Sequence, residues 1–242
     1  MKKLIFVLLA AILLAASACG PLFAGEDESG EAAAIGGLLV KKCAPESVDV
    51  TVSQGGKLAW IEMTGSRQGA VRVESMKLLA RLKARPQSSD LSGGKQLAGL
   101  IESSDAEITL LEKDVNSCFA AVPAQEGGLS DLVFDFRPGG FTARGIYTTR
   151  MLFEIKLHLE AEGRLGLRAD GLYIEDPVVK TEGLRQPDSV AREIVSRINP
   201  LLSFSSLPFP ATFKRVTMTD AAAVMSGDPR PLSGGESWSW RR

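Results

Sequence analysis

From Phe153 to Leu159 the chain alternates without exception. Phe153, Ile155, Leu157 and Leu159 carry one parity, and Glu154, Lys156, His158 and Glu160 carry the other. A repeat of two is the signature of a strand with one dry and one wet face, because neighbours on a helix recur at three and four. The same pattern brackets this stretch on both sides. Leu132, Phe134 and Phe136 alternate with Val133, Asp135 and Arg137, Pro138-Gly139-Gly140 turns the chain, and Phe141, Ala143 and Gly145 resume the alternation. Leu165 and Leu167 follow Glu162-Gly163, and Leu172 and Ile174 follow Asp170-Gly171. These are consecutive antiparallel strands with a common apolar face. Such a sheet has to be covered by something apolar.

Two further regions supply candidates for that cover. In the first half, Ile35 to Cys43 suits a short helix, and Val48, Val50 and Val52 alternate as a strand. Leu58 to Met63 is a second apolar segment, closed by a turn at Gly65 to Gly69. Met76, Leu78, Ala80, Leu82 and Ala84 alternate with mostly basic residues over a length that favours a strand, with a parity change near Ser75 that predicts a bulge. Leu97, Leu100 and Ile101 suit a short helix, Ile108 to Leu111 a brief strand, and Glu112 to Ala121 a helix opened by acids. In the second half, Asp188 to Asp220 reads as helix, turn and strand. Val190, Ile194, Ile198 and Leu201 share a helical face, Pro187 sets the start near Ser189, and Pro200 stops the helix after roughly ten residues. Leu207, Phe209, Ala211 and Phe213 then alternate, with prolines that confine them to an edge or an extended segment, and Val216 to Met218 makes a last strand.

The first 18 residues hold two lysines, a run of apolar residues and Ala16-Ser17-Ala18, which is a secretory signal rather than part of the fold. Cys19-Gly20 follows. Small residues ahead of a cysteine suit the lipoprotein peptidase, and the ordinary signal peptidase accepts them too. Residues 19 to 34 are rich in Gly, Ala, Ser and acid and suit a flexible tether. Removal of the signal takes away Lys2 and Lys3, so 26 basic face 29 acidic side chains, a charge of −3. That balance argues against a nucleic-acid partner. The remaining length suits one domain over residues 35–227, and residues 228–242 read by composition as a disordered tail ending Trp238-Ser239-Trp240-Arg241-Arg242, or as a headgroup contact. No later apolar run is long enough to span a membrane.

Chemistry-bearing residues are sparse. The chain has a single histidine, His158, on the wet parity of its strand, so neither a zinc set nor a Ser-His-acid triad can be assembled convincingly. Ser92-Gly-Gly-Lys95 and Ser233-Gly-Gly lack the spacing of a phosphate-binding loop. With Cys19 taken by lipid, Cys43 and Cys118 either pair in an oxidising compartment or sit as two small buried residues. The expectation is therefore a protein without catalytic residues, metal or cofactor.

Ile108-Thr-Leu-Leu-Glu-Lys-Asp-Val-Asn116, the strand Phe153 to Leu159, Ala169-Asp-Gly-Leu-Tyr-Ile174, and Ile198-Asn-Pro200 with Leu207-Pro-Phe-Pro210 resemble, in that order, the LmeA-like phospholipid-binding family over residues 35–227. The resemblance implies an α+β fold in which a curved antiparallel sheet is rolled around a C-terminal helix, with short accessory helices, as in the tubular lipid-binding (TULIP) folds. It also implies an envelope protein that binds phospholipid or another acyl lipid in an apolar cavity, for transport or envelope maintenance. Phe153, Ile155, Leu157, Leu159, Phe204 and Phe209 are the candidate lipid contacts. The alternative is a non-catalytic envelope scaffold or interaction lipoprotein with the same fold and a filled core. Gly20 lacks the aspartate that retains some lipoproteins at an inner membrane, so an outer-membrane destination follows if the organism has two membranes.

The sequence makes Cys19 the lipidated mature N-terminus. Intact-mass spectrometry of the exported chain is expected to show Cys19 carrying acyl groups, since stable anchoring takes more than one chain. An unmodified mature chain beginning at Cys19 or Gly25 refutes it.

Overall fold

The computed structural model describes residues 30–68, 71–85, 97–121, 128–150, 154–196, 198–207 and 209–242. Helix α1 (Glu31–Cys43) is followed by strands β1 (Ser47–Val52), β2 (Leu58–Gln68) and β3 (Val71–Leu82). A single helical turn, α2 (Leu97–Leu100), leads into β4 (Ile101–Leu111), helix α3 (Glu112–Ala120) and the strands β5 (Leu129–Arg137), β6 (Gly140–Arg150), β7 (Glu154–Arg168) and β8 (Gly171–Thr181). The last part holds β9 (Leu184–Arg185), α4 (Asp188–Ser196), β10 (Leu202–Ser203), β11 (Arg215–Met218), β12 (Ala222–Ser226) and β13 (Glu236–Arg241). The fold is α+β and mostly antiparallel sheet. The strands divide into two sheets, of order β11-β12-β4-β3-β2-β1-β13 and β10-β8-β7-β6-β5 with β9 beside β8, where the sequence suggested one. One principal core joins them: Ile61, Met76, Leu78 and Ile108 of the first sheet belong to the same buried cluster as Phe134, Phe136, Leu172 and Ile174 of the second.

Several expectations are corrected by the way parity is managed. Glu162-Gly163 is not a turn, since β7 runs unbroken for 15 residues. The irregularity lies in its partner, where the pairing slips between Glu162 and Arg164 and Asp176 takes φ 47 before Pro177. The slip moves the inward parity of β8 from Leu172 and Ile174 to Val179, as a one-residue bulge does. Likewise Gly65 is not in a turn. It sits inside β2 at φ 61, and the register with β3 is the same on both sides of it. The buried parity changes there on both strands together, from Met63 and Met76 to the paired Ser66 and Val73, so a twist at glycine replaces the predicted bulge near Ser75.

Both ends of the domain extend beyond the expected limits. Residues 31–34 belong to α1, and Ala32 is wholly buried, so the tether cannot reach that far. At the other end, residues 236–241 pair with 47–52 in full antiparallel register, where composition suggested a disordered tail. Two observations explain the strand: Trp238 and Trp240 alternate with serines, and both indoles are half-buried against the core. A Cβ at Gly36 of α1 would lie 2.0 Å from the Trp238 ring, so the helix approaches the strand this closely only because residue 36 is glycine.

Helix α3 follows β4 without a loop and closes the edge of β5. Asn116 donates from Nδ2 to the carbonyl of Phe134 at 2.9 Å and accepts from its N–H at 2.7 Å, while Glu112 accepts from the N–H of Phe136 at 2.6 Å. The side chains take the place of a neighbouring strand. Arg72 of β3 ties the same helix to the first sheet through Asp114 at 3.0 Å and also meets Glu46 at 2.9 Å. Asn116→Ala leaves both polar groups of Phe134 without their partner, and chemical denaturation is expected to show a loss of about 1–3 kcal/mol. No measurable loss would mean that solvent satisfies this edge.

Candidate functional site

Helix α4 covers the inner face of the second sheet. The amides of Val190 and Ala191 donate to the Pro187 carbonyl at its start, and those of Ile198 and Asn199 to Val195 at its end. The buried residues are Ala191, Ile194 and Val195, whereas Val190 is 37% exposed. The expected face through Val190 is therefore rotated by about one residue, and alanine supplies the close contact. Ala191 and Ile194 form a small cluster with Leu159 and Val179, separate from the principal core. Leu129 and Tyr147 border it and are half-buried.

The expected lipid contacts separate into two places. On β7, Leu159 is buried beneath α4, and Leu157 and Ile155 continue its parity toward the end of the strand as half-buried residues. Phe153 lies outside the described residues. Phe204 and Phe209 belong with the principal core instead: Phe209 is buried, and the half-buried Phe204 stacks on Phe213 with ring centroids 4.8 Å apart. Phe204 opens a single 3-10 turn, and the segment that follows, where the alternation suggested an extended chain, meets β4 in one parallel bridge at Thr212 and Asp105. Thr212 donates to the Ser104 carbonyl at 2.9 Å, Ala106 donates to the Thr212 carbonyl at 3.3 Å, and the Ser104 hydroxyl donates to the Pro210 carbonyl.

The space between α4 and the sheet is apolar and small. It is lined by Leu132, Phe134, Phe141, Leu159, Ile194 and Val195 among others, and measures about 20 Å³. That is room for about one water molecule. Pockets for small molecules run to roughly 300–1,000 Å³. Of the five candidate contacts among the described residues, only Leu159 lines this space.

On its other side α4 borders an open polar cleft of about 820 Å³ along β8. Arg164, Arg168, Tyr173, Glu175, Asp176 and Arg192 line it among others. Arg164 pairs with Asp176, and Arg168 reaches Glu175 at 3.7 Å while its guanidinium lies 4.4 Å from the centre of the Tyr173 ring. The Tyr173 hydroxyl donates to Asp170 at 2.7 Å, and that bond pushes the phenol above its ordinary range. Exposed pairs of this kind contribute little to stability.

His158 points to solvent, as its parity required, and its Nδ1 lies 3.2 Å from Glu182. The backbone amide of His158, first, and then its ring hold the Glu182 carboxyl below the usual range. Cys43 is buried in α1 and Cys118 half-buried in α3, with no disulfide between them, and burial pushes the Cys118 thiol up. Among the described residues no three His, Cys, Asp or Glu side chains gather as metal ligands, and no helix is long and apolar enough to cross a membrane. Sequence reasoning missed Asn199, whose side chain clamps Ile174 of β8 by bonds of 2.8 and 3.1 Å. It also missed β13, although the Ser-Trp alternation was a legible strand signal.

Comparison of the chain with known protein families, with curated proteins and with solved structures gives no match in any of the three.

Leu159 and His158 are neighbours in sequence that face opposite ways. Leu159→Asp is expected to unfold the protein, because a buried unpaired carboxylate costs several kcal/mol against a total stability of about 5–15 kcal/mol. His158→Ala is expected to leave the thermal midpoint nearly unchanged. Equal effects of the two substitutions would show that the register of β7 is wrong.

Proposed function

We propose that this chain is a non-catalytic protein of the cell envelope, exported and tethered through Cys19, that acts by contact with other envelope components while its interior stays filled. The observation that carries this reading is that the apolar space beneath α4 measures only about 20 Å³. An acyl chain needs more than ten times that volume. The helix is also held at both ends against β8, by the amide of Gln186 on the Val179 carbonyl at 2.8 Å and by Asn199 on Ile174. A fold of this kind positions surfaces rather than enclosing a ligand.

A second reading, the phospholipid-binding one, is favoured by a specific feature of the same sheet. Leu129, Tyr147, Leu157 and Ile155 form a half-covered apolar strip across β5, β6 and β7 that leads to Leu159 and the space under α4. In that reading the sheet and α4 form the TULIP-like wrap, and displacement of the helix admits an acyl chain between them.

Ala191→Phe separates the two. In a filled interior the larger side chain overpacks the contact with Leu159 and Val179, and the thermal midpoint is expected to fall with a loss of about 1–3 kcal/mol. The parent, purified with Cys19→Ser and extracted with solvent, is expected to yield no stoichiometric phospholipid. Recovery of bound phospholipid from the parent, lost in Ala191→Phe without a fall in midpoint, would overturn the filled-core reading and establish the second.

A further inference from the structure

Strand β13 ends the first sheet, and among the described residues no strand lies on its outer side. Its pairing with β1 fixes which backbone groups point outward. The amide of Arg242 donates to the carbonyl of Glu46 at 2.9 Å, and residues bond to the same neighbour at every second position of an antiparallel ladder. Glu236, Trp238 and Trp240 therefore spend their N–H and C=O groups on β1. Ser237, Ser239 and Arg241 direct theirs away from the sheet. This outer edge has no proline and no bulge, two of the devices by which solvent-facing edges are usually blunted, and the carboxylate that it turns toward α1, Glu236, already accepts from the Ala32 amide.

We propose that this edge is the interface for a second copy of the chain, paired antiparallel about a two-fold axis through Ser239. Two-fold pairing perpendicular to a sheet requires that the residues brought opposite one another have the same parity, and centring on Ser239 meets that requirement. Ser239 then exchanges both bonds with Ser239 of the other copy, and Ser237 exchanges both with Arg241, so every outward group of the strand is satisfied. The intervening residues complement one another as well. Trp238 falls opposite Trp240, and Glu236 opposite Arg242, each contact made twice as an isologous interface requires. Trp238 and Trp240 are only half-buried in one copy, so pairing covers the indole surface that α1 leaves exposed. Glu236 already accepts from the Ala32 amide at 3.0 Å through Oε1, which holds its carboxylate at this edge. Charge complementarity favours a copy of the same strand over an unrelated one. The inference depends on β13 alone and is independent of which reading of α4 holds.

Sedimentation of the full chain carrying Cys19→Ser, over a wide range of concentration, is expected to show a monomer–dimer equilibrium. Ser239→Pro removes an outward N–H and none that serves β1, so it is expected to abolish the dimer and keep the far-ultraviolet spectrum of the parent. Arg242→Glu places like charges opposite one another and is expected to weaken dimerisation about tenfold. Ser239→Cys brings a residue against its own copy at a Cα separation of about 5.5 Å, within reach of a disulfide, and oxidation is expected to cross-link the chains where the parent does not. A parent that sediments as a monomer throughout overturns the proposal. So does a dimer that survives Ser239→Pro unweakened. Should the proline variant fail to fold, absence of the Ser239→Cys cross-link overturns it instead.

Discussion

A finite sheet ends in two rows of backbone donors and acceptors, and burying them without partners costs about as much as losing the hydrogen bonds themselves. In the second sheet the protein's own side chains and short crossings bond to both rows. On β5 the closure is Asn116 and Glu112 of α3, bonded to Phe134 and Phe136. On β8 it proceeds stepwise along the strand. Phe204 donates to the Asp170 carbonyl, β10 pairs with Gly171 and Leu172, Asn199 takes both groups of Ile174, Gln186 donates to Val179, and β9 pairs with Lys180 and Thr181. Because each closing group also belongs to a helix or turn, satisfying the edges fixes where α3 and α4 lie. The placement of the helices is thus a consequence of backbone bonding, and apolar packing then fills what lies between.

That order of causes bears on function. A helix positioned only by an apolar face can lift away as a unit, at the cost of the surface it exposes. Helix α4 is different, since Gln186 and Asn199 bracket it on the same strand, Ala191 and Ile194 form a cluster of their own with Leu159 and Val179, and Val195 joins the principal core. Lifting it breaks two sets of backbone bonds as well as the cluster. The proposed filled interior accords with this bracketing, and the half-covered strip of Leu129, Tyr147, Leu157 and Ile155 is the part of the face that the short helix does not reach.

The legibility of the fold followed the strength of the period. The strands that alternate on one wet and one dry face, from Leu132 to Ile174, were readable because burial on one side writes parity into the sequence. Breaks in parity were harder. Glu162-Gly163 looks like a turn, yet the adjustment sits across the sheet at Asp176-Pro177, since either of two paired strands can take the extra residue. The rotated face of α4 was illegible for another reason: Ala191 is small, and only the neighbouring sheet decides that a small side chain is what the contact needs. Trp238 and Trp240 were misplaced because composition was weighed before period in a stretch rich in Gly, Ser and charge. Asn116 and Asn199 carry no apolar signal at all, and their roles appear only when the strands they close are in place. For the candidate site, parity placed Leu159 inward and His158 outward. It gave no means to tell a residue facing ligand from one facing a helix.

The two sheets differ in how they end, and the difference has the same physical origin as their closure. Segments that close an edge must be long enough to cross it, and the chain from Glu182 to Phe204 serves β8 in this way while α3 serves β5. The first sheet receives its last strands from the far end of the described chain. The hairpin of β11 and β12 extends it on one side, with β12 in register along β4, and β13 extends it on the other along β1. Adding a strand satisfies the edge it joins and creates a new one, so the row of open groups is moved outward rather than removed. At β13 that row falls on Ser237, Ser239 and Arg241, small or flexible residues that leave the backbone accessible, while the bulky indoles occupy the alternate positions against α1. An edge whose bulk is turned to the core and whose backbone is turned to solvent is suited to a strand partner, whereas on β5, the end strand of the second sheet, α3 already takes the outer groups of Phe134 and the amide of Phe136.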